Sequence, residues 1–195
     1  MPEGPEVWIL AKVLNLQCYG KHLYVGNEDW SFGLSGTVNL SDNNTLTKID
    51  KGYLPGTIQP RDNNQFVNND WMTADKDTLE RIIKKWKNSN VKLGSLLLNQ
   101  REIAGIGVAW GSEILYQLGL RPDIKACQQN ICEIKFTQIL LEYREKIQSF
   151  YDTYSKTVDT KTFVNSWFKN LYEQRNMCVY KKGTQIESGG RKWWI

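Results

Sequence analysis

Between residues 93 and 120 the chain reads LGSLLLNQREIAGIGVAWGSEILYQLGL, two apolar runs of helical period on either side of Gly105-Ile106-Gly107. Leu93, Leu96, Leu97 and Leu98 cluster on one stripe, and Val108, Ala109, Ile114, Leu115 and Leu118 form another. Both repeat at the 3.6-residue period of a helix with one buried face, so two short helices are predicted to pack together. Glycine at 105 and 107 permits positive φ and a close approach by another molecule's backbone. A helix opening at Val108 points its first N–H groups in the same direction, which suits an anion. An ordinary helical hairpin with a glycine turn fits the same pattern.

The remaining periodicities place other elements around this pair. Pro5 suits a first helical turn, and Val7, Leu10 and Leu14 continue a stripe, predicting a helix from about 5 to 16. From Tyr19 to Leu40 large apolar residues alternate with small or polar ones, with Gly26-Asn27 and Asn43-Asn44 as turns, which predicts antiparallel strands. Asn, Asp, Gly and Pro crowd the stretch from Ser41 to Asn69, so strands at 45–49 and 56–59 would be short in a loop-rich region. A cap at Thr73 or Asp75 opens a helix over Thr78 to Trp86, with Leu79, Ile82, Ile83 and Trp86 inward and Arg81, Lys84, Lys85 and Lys87 largely outward. A domain boundary is placed at 74/75. A polar linker after Pro122 leads to a long helix from about Lys135 to Ser155, carrying Ile139, Leu140, Tyr143, Ile147, Phe150 and Tyr154 inward. After the aromatic segment TFVNSWFKNLYEQRN comes MCVYKKGTQIESGGRKWWI, read as a terminal hairpin over about 176–195 that turns at Gly189-Gly190.

Composition adds bounds. With 195 residues, 41% hydrophobic and 24% charged, the chain can bury a core as one domain or two small ones. Its net charge of +4 permits an acidic partner without demanding one. No apolar run reaches the roughly 20 residues of a membrane span, and the first residues lack the layout of a signal peptide, so an intracellular setting, cytoplasmic or nuclear, is expected. Cys18, Cys127, Cys132 and Cys178 are scattered without a CxxC pair, and His22 is the sole histidine. Free thiols are expected, and a zinc site drawn from Cys18, His22, Cys127 and Cys132 lacks the tight ligand pairs such sites show.

Two places carry candidate chemistry. In MPEGPE, removal of Met1 leaves Pro2 as a secondary amine flanked by Glu3 and Glu6. An α-amino group, with a pKa of about 7.7–8.0, is far less protonated at neutral pH than a lysine. Such an amine can attack a sugar C1′ or an aldehyde to form an iminium, with a neighbouring carboxylate moving the protons. A proline-capped helix with acids complementing its dipole is the plainer reading. At the other end, Arg191 and Lys192 sit beside Trp193 and Trp194. A guanidinium held by aromatics suits phosphate, whereas a packed tail with solvated cations needs no ligand.

Together these residues resemble the formamidopyrimidine-DNA glycosylase/endonuclease VIII family of base-excision repair enzymes nearly end to end. MPEGPE resembles the family's catalytic start, YGKHL its GK strand, and FGLSG its HLGMSG-like strand turn. LLLNQREIAGIG followed by SEILYQLGLRPD resembles its helix–two-turn–helix, and VYKKG with GGRKWWI its terminal finger. The resemblance implies an α+β fold, an abbreviated N-terminal β-sandwich-like catalytic domain over 1–74 and a helical DNA-binding domain over 75–195. It implies a bifunctional glycosylase and abasic-site lyase that needs no cofactor and acts on damaged DNA, single- or double-stranded, as a monomer without a membrane. By this likeness Pro2 is the Schiff-base nucleophile, Glu3 the acid/base, Lys21 a second catalytic amine, and Glu6 a structural or substrate-orienting carboxylate. Gly105 and Gly107 shape a phosphate-binding turn, and Arg191 is a phosphate clamp.

The chain also departs from that pattern. Val108 stands where the family usually has an asparagine that grips phosphate, leaving backbone N–H groups to do so. No DPRRFG-like segment occurs between Leu40 and Trp71, so Leu34 is the one wedge left to fill the space vacated by a flipped base. Cys178 is the finger's single thiol, which implies a zinc-less finger held by Val179, Trp193 and Trp194. A non-catalytic DNA-binding protein derived from the family is the competing expectation, and a protein-interaction scaffold a third.

Overall fold

A computed structural model describes Pro5, Trp8, Ile9, Lys12 and residues 69–154 and 177–195. The four early residues are helical, as expected for a helix from about 5 to 16, and Trp8 and Ile9 are buried. The expected strands between Tyr19 and Leu40 and at 45–49 and 56–59 lie outside the described residues, as do Val7, Leu10 and Leu14 and the segment TFVNSWFKNLYEQR. What is described is α+β: helices followed by an antiparallel two-stranded hairpin.

Helix α1 spans Lys76–Trp86. Asp75 caps it, its carboxylate accepting the Thr78 N–H at 2.6 Å, and Lys84 and Lys85 in the last turn complement the dipole. Leu79, Ile82, Ile83 and Trp86 are its buried face, the stripe expected from spacing. Hydrogen bonding to the Thr78 N–H holds the Asp75 carboxyl below its ordinary range.

Helix α2, Leu93–Leu97, is a single turn whose leading N–H groups find carbonyls elsewhere: Leu93 N donates to Ile124 O at 3.0 Å and Gly94 N to Pro122 O at 2.9 Å. Helix α3, Val108–Leu118, follows the glycine turn and stops at Gly119, which adopts φ 66°. There the Gly119 and Leu120 N–H groups bond back to Tyr116 O and Leu115 O, a Schellman closure that glycine permits without strain.

Helix α4, Glu133–Tyr154, buries Phe136, Ile139, Leu140, Tyr143, Ile147 and Tyr151, each three or four residues from the next apart from the adjacent pair 139–140. Phe150, expected inward, is only partly buried, and Tyr151 takes the fully inward place one position on. Arg144 ties α4 to the segment ahead of α1. Its Nε donates to Trp71 O at 3.0 Å, and Nη2 bonds both Trp71 O and Ala74 O. Burial draws this guanidinium below its usual range, with Asp70 opposing the shift.

The core runs through all of these elements. Trp71 and Trp110 lie 6.2 Å apart, Trp110 meets Tyr143 edge-on at 5.6 Å, and Trp86 meets Phe136 edge-on at 5.9 Å. Residues 69–74 join the same core: Trp71, Met72 and Ala74 are buried, and Trp71 N donates to Ala104 O at 3.1 Å. Among the described residues no helix is long and apolar enough to cross a membrane.

Strands β1, Gln185–Ser188, and β2, Arg191–Trp194, pair in the register Gln185↔Trp194 through Ser188↔Arg191. The two residues between them, Gly189 at φ 60° and Gly190 at φ 68°, both need the left-handed region that a tight primed hairpin turn demands. Beyond the pairing, Thr184 and Ile195 exchange N–H to carbonyl bonds at 3.0 Å in both directions.

Candidate nucleic-acid interface

The loop from Leu98 to Gly107 is shaped by one amide side chain. Gln100 accepts the Gly105 N–H on Oε1 at 2.8 Å, while its Nε2 donates to Ile106 O at 3.1 Å and Leu98 O at 3.3 Å. Gly105 sits at φ 85°, so the expected left-handed glycine is there. Gly107 differs from the expectation of positive φ: at φ −114° and ψ −169° it is extended backbone, and it serves as the N-cap of α3 without a side-chain bond. It is half-buried. The Gly105 N–H is taken up by Gln100.

The hairpin seats on the same helices through Trp193, which is fully buried. A Cβ placed on Gly111 would come 2.8 Å from Trp193 Cζ3, and 3.6 Å from Ile106 Cγ2 of the turn. A Cβ on Gly94 would meet Trp193 Cζ2 and Pro122 Cβ, each at 2.8 Å. Two helical glycines thus open the slot into which the indole fits, and turn and hairpin meet at one point of α3. Polar bonds complete the seat. Ser112 Oγ accepts the Trp194 N–H at 3.1 Å, Ser188 Oγ donates to Pro122 O at 2.9 Å, and Trp193 Nε1 donates to Ser188 O at 3.2 Å.

At the base of the hairpin the fully buried Glu113 carboxylate accepts three consecutive backbone N–H groups. Oε2 takes Cys178 N at 2.6 Å, and Oε1 takes Val179 N and Tyr180 N, each at 2.7 Å. Burial, with the Glu113 and Cys178 charges adding, pushes the Tyr143 phenol well above the ordinary range. Val179 is buried, and Tyr180 meets Trp194 edge-on at 4.7 Å. Neither Glu113 nor Gln100 stands out from the sequence pattern. A signal exists for the first, since Glu113 is the one charged residue in α3.

Arg191 and Lys192 are exposed on β2 beside the glycine turn, and Lys181 and Lys182 are exposed at the base. Glu187 faces Lys192 across the strands, whereas Arg191 faces Ser188. Among the described residues no carboxylate forms an ion pair with Arg191. The structure therefore brings Gly105, Gly107 and Arg191 onto one packed unit. Pro2, Glu3, Glu6, Lys21 and Leu34 lie outside the described residues. So do Cys18 and His22, while Cys127, Cys132 and Cys178 are free and exposed. No group of three potential metal ligands occurs among the described residues.

No family model and no curated protein matches the sequence. Solved structures similar to the chain include Lactococcus lactis formamidopyrimidine-DNA glycosylase bound non-covalently to DNA with an abasic site, at 20% identity and a TM-score of 0.43, covering 62% of this chain and 45% of that one. The same bacterium's enzyme with FAPY-dG-containing DNA follows at 18% identity and a TM-score of 0.44, with the same coverage. MutM in complex with DNA containing carbocyclic 8-oxo-G is similar at 20% identity and a TM-score of 0.45, over 62% of this chain and 44% of that one. The chain thus spans less than half the length of these structures.

Proposed function

We propose that this protein is a DNA glycosylase and abasic-site lyase whose helical part and hairpin grip the phosphate backbone while Pro2 performs the chemistry. One observation carries the binding half: the Gly105 turn runs directly into α3, the helix against which Trp193 seats the Arg191 hairpin in the slot made by Gly94 and Gly111. A rigid pair of phosphate contacts positions a duplex without reading its sequence. The exposed Arg191 guanidinium supplies a charge-assisted, bidentate contact, and half-buried Gly107 lets a second phosphate approach the backbone where α3 begins.

The catalytic half rests on MPEGPE and Lys21 in the sequence. A target inside a stacked duplex is reached by extruding the nucleotide, with Leu34 entering the vacated space. The Pro2 nitrogen attacks C1′ as the damaged base departs with a proton, and the nitrogen's own proton loss and ring opening give an iminium. Glu3 moves those protons. Removal of a C2′ proton then expels the 3′ phosphate, and water releases Pro2 as the free amine. Lys21 acts at the sugar as a second amine, and Glu6 orients the first turn or the substrate. No metal or cofactor takes part in this scheme. The setting is intracellular, the acting form a monomer, the catalytic part falls within 1–74 and the binding part within 75–195.

A second reading is favoured by the short stretch between Leu40 and Trp71: a DNA-binding protein that kept the clamp and lost the pocket. Borohydride treatment on abasic DNA separates the two. The full chain, with Met1 removed, is expected to become covalently linked. Linkage should vanish when the N-terminus is blocked on Pro2→Ala, and product should form more slowly in Glu3→Gln. DNA binding without any linkage would establish the second reading.

A further inference from the structure

We infer that Glu113 is a positioning residue that sets the hairpin, and with it Arg191, in the attitude needed to hold phosphate; this rests on the reading of the hairpin as half of a DNA clamp. A carboxylate with no solvent exposure is costly unless both its oxygens are hydrogen-bonded. Glu113 meets that demand with backbone alone, collecting the Cys178, Val179 and Tyr180 N–H groups at 2.6 to 2.7 Å. Short bonds from neutral amides to a charged acceptor are of the stronger kind, and three from one turn leave that turn little rotational freedom. From Tyr180 the constraint passes to Trp194, stacked edge-on at 4.7 Å, whose N–H is held by Ser112 one residue before Glu113 in the helix. Glu113 and Ser112 therefore fasten the hairpin's base and the end of its last strand to α3, while Trp193 fastens its middle to Gly111. Remove the carboxylate and Arg191 remains exposed, on a strand pair held at fewer points.

The function of this anchor is geometric, so its test compares local order with DNA binding in the full chain. In Glu113→Gln the amide nitrogen faces the Cys178 N–H as a second donor. Amide hydrogen exchange at Cys178, Val179 and Tyr180 is expected to accelerate about tenfold or more, while the amides of α4 keep their protection. Affinity for a fixed abasic duplex should fall, and the slope of log K against log[salt] should decrease by roughly 0.9 in magnitude, the decrease also expected for Arg191→Ala. Adding Glu113→Gln to Arg191→Ala should change the slope no further. Should Glu113→Gln fail to fold, Glu113→Asp keeps the charge but withdraws it by one methylene, and the same exchange and slope changes are expected in weaker form. Unchanged exchange at 178–180 overturns the proposal, as does accelerated exchange with undiminished binding while Arg191→Ala does weaken it. If Arg191→Ala itself leaves binding and slope intact, the clamp reading fails and the role of Glu113 in it falls too.

Discussion

Trp193 lies so close against Gly111 that any side chain there would overlap it, with 2.8 Å between the indole Cζ3 and an added Cβ. Helices ordinarily avoid glycine, which costs about 1 kcal/mol relative to alanine in a helix interior. Here the missing side chain is what admits the indole. Gly111→Ala is therefore expected to destabilise the fold by about 1–3 kcal/mol despite the better helix former, because Trp193 must leave its slot. Chemical denaturation measures it, and an equal or raised stability would show that the hairpin is not seated by this packing.

Arg191→Ala should weaken binding to DNA of unrelated sequence alike. Leaving one phosphate without its cation lowers the magnitude of the salt slope by roughly 0.9 for duplex DNA. Titrations at several salt concentrations measure both quantities. An unchanged affinity and slope would make the exposed cations of β2 merely solvated.

Gln100→Ala removes the brace of the glycine turn and strands the Gly105 N–H. A decrease of about 1–3 kcal/mol in stability is expected from a partner removed at a partly buried site. DNA affinity should fall as the turn loosens, with the salt slope unaltered because the net charge stays the same. A slope that changed as in Arg191→Ala would argue against this separation of shape from charge.

Much of this architecture is legible in the chain, and what is not has a physical cause. Asp75 and the stripe Leu79, Ile82, Ile83, Trp86 announce α1, because capping and amphipathic spacing act within a few residues. Gly189-Gly190 announce the hairpin for the same reason, as the φ values of 60° and 68° confirm. The turn is only half legible: Gly105 is left-handed, and Gly107 is not, since glycine reports permission and not conformation. Glu113 escapes notice in the sequence because its donors lie 65 to 67 positions away, and local patterns carry no information about partners so distant. Gln100 is passed over because amides in loops are usually solvated, and its bonds depend on the fold of the turn itself. The proposed chemistry at Pro2, Glu3 and Lys21 is legible only as motif.

Tyr143 gives a pH dependence with a definite sign. Burial raises its folded pKa above the ordinary 10.0, so the native state keeps the phenol neutral. Below pH 10.0 both states are protonated and the contribution is fully present; above it the unfolded chain ionises first and stability falls as pH rises. The advantage of wild type over Tyr143→Phe should shrink as pH rises past about 10. Melting temperatures of the two proteins on either side of that pH test this, and a constant difference would show that the phenol is not protected.

Strong chelators should leave both the melting temperature and the DNA affinity unchanged, since the hairpin's seat consists of Trp193, Val179, Ser112 and Glu113. Domains whose folding free energy comes from a bound metal respond to chelation by unfolding. Elemental analysis finding stoichiometric, tightly held zinc would reverse the assignment.

The edge-on pair of Tyr180 and Trp194 equips the chain with its own optical reporter. Trp71, Trp86, Trp110 and Trp193 are sealed in the interior, whereas the Trp194 indole is only half-covered, beside the cations of the hairpin. Its emission is consequently the one among these five that an arriving polyanion or a soluble quencher can reach. Docking on this face can be followed as a change in intrinsic fluorescence, without a dye, and Trp194→Phe supplies the dark control.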